Sequence, residues 1–201
     1  MTNKLSDTAL IEKFRNGDKA AFSCLFERYF SKLFHYGRRI TENETLIEEC
    51  IQELFIYLLE HKNLLFEVKH PRSYLYTSLR YRLIAAVKKE RQKLTFSTDP
   101  ISSIDIQFSQ EDFLVQVEEE EERRCLLERI LNSLPARQRE VIYLKYYNNL
   151  NSKEIAEVMG ISQQGVLNTL YKAFKKLRKS INLHILSNVL SLLYFLPNIN
   201  A

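Results

Sequence analysis

Residues 150–178, LNSKEIAEVMGISQQGVLNTLYKAFKKLR, carry the pattern of two helices hinged at Gly160. Ser152 suits an N-cap, because its hydroxyl accepts from the free amides of a first turn, and Glu154 favours the positive end of the helix dipole. Ile155 and Met159 fall one turn apart on an apolar face, and Ala156 beside them is small enough to let a second helix cross closely. Gly160 stops the first helix by taking the left-handed conformation without a Cβ clash. Ile161 fills the turn and Ser162 caps again. Val166, Leu170, Ala173 and Leu177 then recur at i, i+4, i+7 and i+11, one stripe of a second helix. The spacing predicts a helix-turn-helix. A helical hairpin with a solvated face is the plain alternative, but small residue, glycine, two caps and a basic run coincide here at the spacing the motif needs.

The outer side of that second helix carries Gln163, Gln164, Leu167, Asn168 and Tyr171, then Lys172, Lys175, Lys176, Arg178 and Lys179. Amides and a methyl-rich side chain near a helix N-terminus read base edges in a major groove, and the later cations suit phosphates.

Outward from the motif, composition favours helix throughout. Among 201 residues there are only four Gly and four Pro, and no sustained alternation marks a strand. Cys24, Cys50 and Cys125 are odd in number and far apart, which fits reduced core thiols rather than a metal site or a disulfide framework. His35, His61, His70 and His184 are scattered, with no acid cluster around them, so neither a metal, a cofactor nor a catalytic constellation is expected. The opening MTNKLSDTALIEKF lacks an apolar signal region, which predicts a cytoplasmic protein. Charge is segregated: residues 1–91 carry net +4, residues 92–122 net −8 and residues 123–201 net +8. Two basic blocks flanking an acidic connector suit a protein that grips nucleic acid at two places.

In chain order, Ser6 or Asp7 can cap a first helix with Leu10, Ile11 and Phe14 on one face, and Gly17-Asp18 starts the next. Phe22, Leu25, Phe26, Tyr29, Phe30, Leu33 and Phe34 recur at three and four, a long core helix. After a turn near Thr41-Glu42-Asn43, a third helix turns Ile47, Cys50, Ile51, Leu54, Phe55 and Leu58 inward and Glu48, Glu49, Gln52 and Glu53 outward. Residues 62–70 form a connection, and Pro71 suits the first position of a helix that mixes Tyr74, Tyr76 and Tyr81 with Arg72, Arg80, Arg82, Lys88, Lys89 and Arg91. Interleaved rings and cations suit a single-stranded nucleic acid; equally, Leu75, Leu79, Leu83 and Val87 can be the core side of a helix that is otherwise solvated.

From 92 to 117 the pattern breaks into a linker, and Glu118 to Glu122 lead into a helix faced by Leu126, Leu127, Ile130, Leu131 and Leu134. Pro135 starts another, ARQREVIYLKYY, so the second domain is a four-helix unit. The tail from Ile181 to Leu196 would reach about 24 Å as a helix, short of a roughly 30 Å hydrocarbon layer. Its Leu186, Val189, Leu190 and Leu193 give a stripe that suits packing on protein. The fold class is therefore all-α: two small helical domains, 1–91 and 123–180, joined by an acidic flexible linker, 92–122, and followed by an apolar tail, 181–201.

Four blocks in series, GDKAAFSCLFERYF, IEECIQELFIYLLE, PRSYLYTSLRYRLIAAVKKER and LPARQREVIYLKYYNNLNSKEIAEVMGISQQGVLNTLYKAFKKLR, resemble the extracytoplasmic-function sigma factors, which give bacterial RNA polymerase its promoter specificity. The resemblance implies an N-terminal domain that binds core polymerase and opens the minus-ten element, and a C-terminal domain that reads the minus-thirty-five element. By resemblance, Glu49, Gln52 and Glu53 match clamp-binding positions; the loop 62–70 with Tyr74, Tyr76, Arg80 and Tyr81 matches the melting region, to which the ring-and-cation pattern adds Arg82, Lys88 and Lys89 as expected minus-ten contacts; Ser162, Gln163, Gln164, Leu167, Asn168 and Tyr171 match the duplex reader. It also implies a connector that threads polymerase near the nascent RNA path, promoter DNA as duplex and as melted single strand, an anti-sigma protein as regulator, and no small-molecule substrate. Tyr81 stands where the family often has Asn, and Leu167 and Thr169 where it often has a basic pair, so an unusual minus-thirty-five sequence is expected. A helix-turn-helix regulator that dimerises or senses a ligand is the competing class; a helix-turn-helix recombinase would need a nucleophile with clustered Arg or a carboxylate metal site.

Overall fold

The computed structural model describes residues 5–67, 70–94, 106–108 and 119–180; the apolar tail and most of the acidic connector lie outside the described residues. Every regular element among the described residues is an α-helix. The chain divides into two compact units, residues 1–102 with 157–160 and residues 103–156 with 161–201.

In the first unit, α1 (Asp7–Arg15) is capped by Ser6, whose hydroxyl accepts from the Ala9 amide, and buries Leu10, Ile11 and Phe14. Asp7 ties α1 to α2 (Lys19–Arg38): its carboxylate takes Arg28 at 2.6 Å and the Tyr29 hydroxyl. Burial, and then the hydrogen bond to Asp7, push the Tyr29 phenol well above its ordinary pKa, so the proton stays on the phenol. Asp18 caps α2 by accepting from Ala20 at 2.9 Å and Ala21 at 3.1 Å. The aromatic stripe of α2 splits in two. Leu25, Tyr29 and Leu33 are buried outright, whereas Phe22, Phe26, Phe30 and Phe34 form a half-buried ladder in which Phe22 and Phe26 lean edge-on against Phe55, at 5.8 and 5.0 Å.

Asn43 caps α3 (Glu44–Glu60), which buries Ile47, Cys50, Ile51, Leu54, Phe55 and Leu58, the six positions its period predicts. Burial pushes the Cys50 thiol up to about 11, so it is an unreactive core group. Gly37 sits where α2 meets α3: a Cβ there would fall 2.5 Å from Ile47 Cγ2. Ile47 is β-branched and fully buried, so it has little room to yield. Gly37→Ala gains about 1 kcal/mol of helix propensity and loses about 1–3 kcal/mol to overpacking. A net loss of up to about 2 kcal/mol is expected in urea unfolding, and a stabilised variant would mean that the α2–α3 contact gives way freely.

The connection 62–70 is not simply a loop: α4 (Leu64–Glu67) interrupts it and buries Leu65. The long α5 (Pro71–Leu94) follows, running three residues past the expected domain end, and its Leu75, Tyr76, Leu79 and Leu83 are buried.

In the second unit, α6 (Glu119–Asn132) begins inside the stretch assigned to the linker, and α7 (Ala136–Tyr146) starts directly after Pro135. Arg139, Glu140, Val141, Ile142, Tyr143 and Leu144 are all buried, so α7 is enclosed on more than one side and acts as the central helix. The first helix of the motif, α8 (Ser152–Met159), is capped by Asn151 rather than Ser152: Asn151 Oδ1 accepts from the Lys153 amide at 2.9 Å and the Glu154 amide at 3.1 Å, and Glu154 Oε2 accepts from the Asn151 amide at 2.8 Å. This reciprocal capping box explains the buried Glu154 and moves the cap one residue upstream. Gly160 takes φ +63°, the left-handed stop that the sequence predicts. Ser162 caps α9 (Gln163–Ser180) by accepting from the Gly165 amide at 3.0 Å, and Val166 and Ala173 face inward.

One segment of the connector is also packed in this unit. Ile106 and Phe108 are buried, and Phe108 is held by the side chain of Asn132.

Candidate nucleic-acid interface

The outward half of α9 separates into two strips. Gln164, Asn168, Lys172 and Lys175, all exposed, lie along one line at spacings of four, four and three. Beside it, Gln163, Leu167, Tyr171, Phe174 and Arg178 form a second, more apolar strip, in which Leu167 is 45% and Tyr171 68% exposed. Gln164 Nε2 donates to Asn168 Oδ1 at 3.1 Å, so the two amides are oriented as a pair and still keep unspent donors and acceptors for base edges. Ser162, at the N-cap, spends its hydroxyl on the helix, and Thr169 likewise donates to its own Gly165 carbonyl at 2.7 Å.

Lys176 departs from the sequence expectation. Its ammonium donates to the Ser133 carbonyl at 2.6 Å, just past the end of α6, where the exposed C-terminal carbonyls attract a cation. It fastens two helices of the unit, whereas no partner on another helix is seen for the exposed Lys172, Lys175 and Arg178 among the described residues.

On α5, Tyr74, Tyr81 and Lys88 recur every seven residues along one line, with Lys89 alongside. Tyr81 is 58% exposed, Tyr74 and Arg80 are half-buried, and Lys88 and Lys89 are exposed. Tyr76 does not belong to this strip. It is 1% exposed and meets Tyr36 edge-on at 5.4 Å between centroids, so it offers no face to a base. Arg82 also turns away. Its guanidinium lies 3.5 Å from Glu53 and 5.7 Å from the Tyr57 ring, on the α3 side of the unit.

That α3 surface is the third candidate face. Glu49, Gln52 and Glu53 are exposed on one strip, and Ile56, 55% exposed, continues it one turn on. Tyr57 stands next to it, stacked on His61 at 4.1 Å, and Leu59 is also exposed. A strip of acids that runs into an exposed isoleucine combines charge with uncovered apolar surface, a combination that suits contact with another protein. Sequence reasoning passed over Ile56, although its place at i+3 and i+4 from Glu53 and Gln52 on the polar side of α3 marks it. Among the described residues there is no group of His, Cys, Asp and Glu fit to hold a metal ion.

Comparison with known proteins gives these faces a context. Residues 25–93 match the family model of Sigma-70 region 2, and residues 126–177 that of Sigma-70, region 4. The ECF RNA polymerase sigma factor SigM of Bacillus subtilis (strain 168) is 26% identical over 158 residues, 79% of this chain and 93% of that protein. SigL of Mycobacterium tuberculosis, also an ECF RNA polymerase sigma factor, is 25% identical over 165 residues, 82% of this chain and 90% of that protein. The sigma factor RpoE of Bartonella quintana, solved in complex with the anti-sigma factor NepR, shares the fold with a TM-score of 0.55 at 17% identity, over 79% of this chain and 95% of that one.

Proposed function

We propose that this chain, which belongs to the extracytoplasmic-function RNA polymerase sigma factors, divides promoter recognition between its two helical units. The observation that carries this reading is the succession of region 2 and region 4 matches in a single chain, in the order of its two units. A single helix-turn-helix would fit a regulator that acts without polymerase; the region 2 match disfavours it.

Each face then has a role. The α3 strip of Glu49, Gln52, Glu53 and Ile56 docks on core polymerase. The α5 strip of Tyr74, Tyr81, Lys88 and Lys89 takes the minus-ten element, with Tyr81 stacking on an unpaired base as the strands part. The α9 face reads the minus-thirty-five duplex, Gln164 and Asn168 at base edges and Lys172, Lys175 and Arg178 on phosphates. A sigma factor directs the catalysis of polymerase and performs no reaction itself. It works where polymerase does, in the cytoplasm, and no helix among the described residues is long and apolar enough to cross a membrane. A protein of the anti-sigma class is its expected regulator.

The test is reconstitution. With core polymerase and a promoter library, the chain is expected to co-elute with core and start transcription from a defined subset of sequences. Glu53→Lys combined with Gln52→Ala is expected to weaken core binding about tenfold or more, as for central interface residues, while costing no more than about 1 kcal/mol of stability, since both positions are exposed and only the Arg82–Glu53 surface pair is lost. Failure of the wild type to bind core would sink the reading. Tight binding of a palindromic operator by a dimer without polymerase would favour the regulator instead.

A further inference from the structure

Residues 163–171 of α9 contain no Lys or Arg, and the first cation of the helix is Lys172. The outer side of those turns consists of Gln163, Gln164, Leu167, Asn168 and Tyr171, all exposed. Thr169 is half-buried and spends its hydroxyl on the Gly165 carbonyl at 2.7 Å. The reading end of the helix thus lacks the cation that pairs with guanine O6 and N7, and offers amides and apolar carbon instead.

Leu167 is the apolar side chain set among those amides. It is 45% exposed, and the rest of the helix fixes its outward direction: Val166 and Ala173, both 0% exposed, hold the inner side of α9, so turning Leu167 inward would bring Val166 out. Phe174, further along the same strip, leans edge-on against Tyr146 at 6.1 Å and is partly used by the unit itself. A lone exposed leucine is ordinary on a protein surface. This one lies three positions after Gln164 and one before Asn168, whose side chains bond to each other at 3.1 Å, so it stands beside two oriented hydrogen-bonding groups. Residues three apart on a helix have Cβ atoms about 5–6 Å apart, and base pairs stack about 3.4 Å apart. Leu167 therefore reaches the base pair that the amides read or the one beside it. In the major groove one base presents an apolar group: thymine, with its C5 methyl.

We infer that Leu167 packs against the C5 methyl of a thymine in the minus-thirty-five duplex and is a specificity-determining residue of the α9 face, an inference that rests on the sigma-factor reading. The contact removes apolar surface of both partners from water and makes no hydrogen bond, so it recognises the methyl itself and not the pairing face of the base.

Uracil in place of thymine removes that methyl and leaves the base pair otherwise intact. Holoenzyme reconstituted from core polymerase and the full chain first identifies a promoter whose minus-thirty-five element it needs. Each thymine of that element, on either strand, is then replaced singly by uracil, and initiation is measured at subsaturating holoenzyme. With wild type, one position is expected to lose about three- to tenfold, the scale of one buried methyl. Leu167→Ala is expected to lose a similar factor on the thymine template and to initiate about equally on thymine and uracil at that position. Leu167→Gln, of similar length but polar, serves as second variant if the alanine variant does not fold, and is expected to lose the thymine preference as well. A wild type indifferent to uracil at every position, an element without thymine on either strand, or the same thymine preference in wild type and variant overturns the methyl contact alone, because wild-type initiation is then normal. A wild type that binds no core, or initiates at no promoter, overturns the sigma-factor reading and the contact with it.

Discussion

Tyr76→Ala is expected to destabilise the N-terminal unit by about 3–5 kcal/mol, the cost of emptying a buried aromatic site. Two neighbours on α5 carry the contrast: Tyr76 is fully buried against Tyr36, and Tyr81 is 58% exposed. Small domains retain only about 5–15 kcal/mol of net stability, so the Tyr76 variant should unfold at a far lower urea concentration and lose polymerase binding and strand opening together. Tyr81→Ala should stay within about 0.5 kcal/mol of wild type and bind core normally. Losing one base-stacking platform is worth about 1–3 kcal/mol, so its affinity for a forked, partly single-stranded minus-ten template should fall about five- to hundredfold. Urea unfolding and fork-template binding on the two variants decide it. A Tyr76 variant as stable as wild type, yet defective on the fork, would put that ring back among the stacking residues.

The same pair shows where the sequence is legible. Where a helix has one wet and one dry side, period alone sorts its residues: the six buried positions of α3 and the inward Val166 and Ala173 of α9 follow from spacing. On α5 Tyr76 follows the core residue Leu75, and a ring with a polar tip suits a core or a base equally well; contact with Tyr36 decides, and Tyr36 is forty residues away. On α7, Arg139 and Glu140 look like surface residues because charge in a helix usually is, but this helix is enclosed and buries them. Lysines near a helix end are alike in sequence, so only the Ser133 carbonyl distinguishes Lys176 from Lys175. Phe108 is one of three phenylalanines in a connector without period, and the residue that holds it, Asn132, ends the next helix.

Replacing Lys172 and Lys175 together by Ala is expected to weaken binding to every duplex sequence alike and to flatten the slope of log K against log salt by about 1.8, since each phosphate contact to duplex DNA contributes about 0.9 through counterion release. Both lysines are exposed on the outer strip of α9, beyond the turn that carries the amides. Lys176 is left intact, because removing it would also free the Ser133 carbonyl and mix a stability loss into the binding result. Gln164→Ala should do the reverse. A hydrogen-bonded base contact carries about 1–3 kcal/mol of discrimination, so the preference at one base pair of the minus-thirty-five element should relax by about five- to hundredfold while the salt slope stays put. Asn168→Ala should shift the preference at the same or the adjacent base pair, because the 3.1 Å bond between the two amides aligns them as one reading unit. Binding measured across a salt series on the preferred and on single-substituted sequences separates the effects. If the lysine pair changes sequence preference, or Gln164→Ala changes the slope, the division of α9 into a reading strip and a phosphate grip fails, and with it the assignment of minus-thirty-five specificity to the amides.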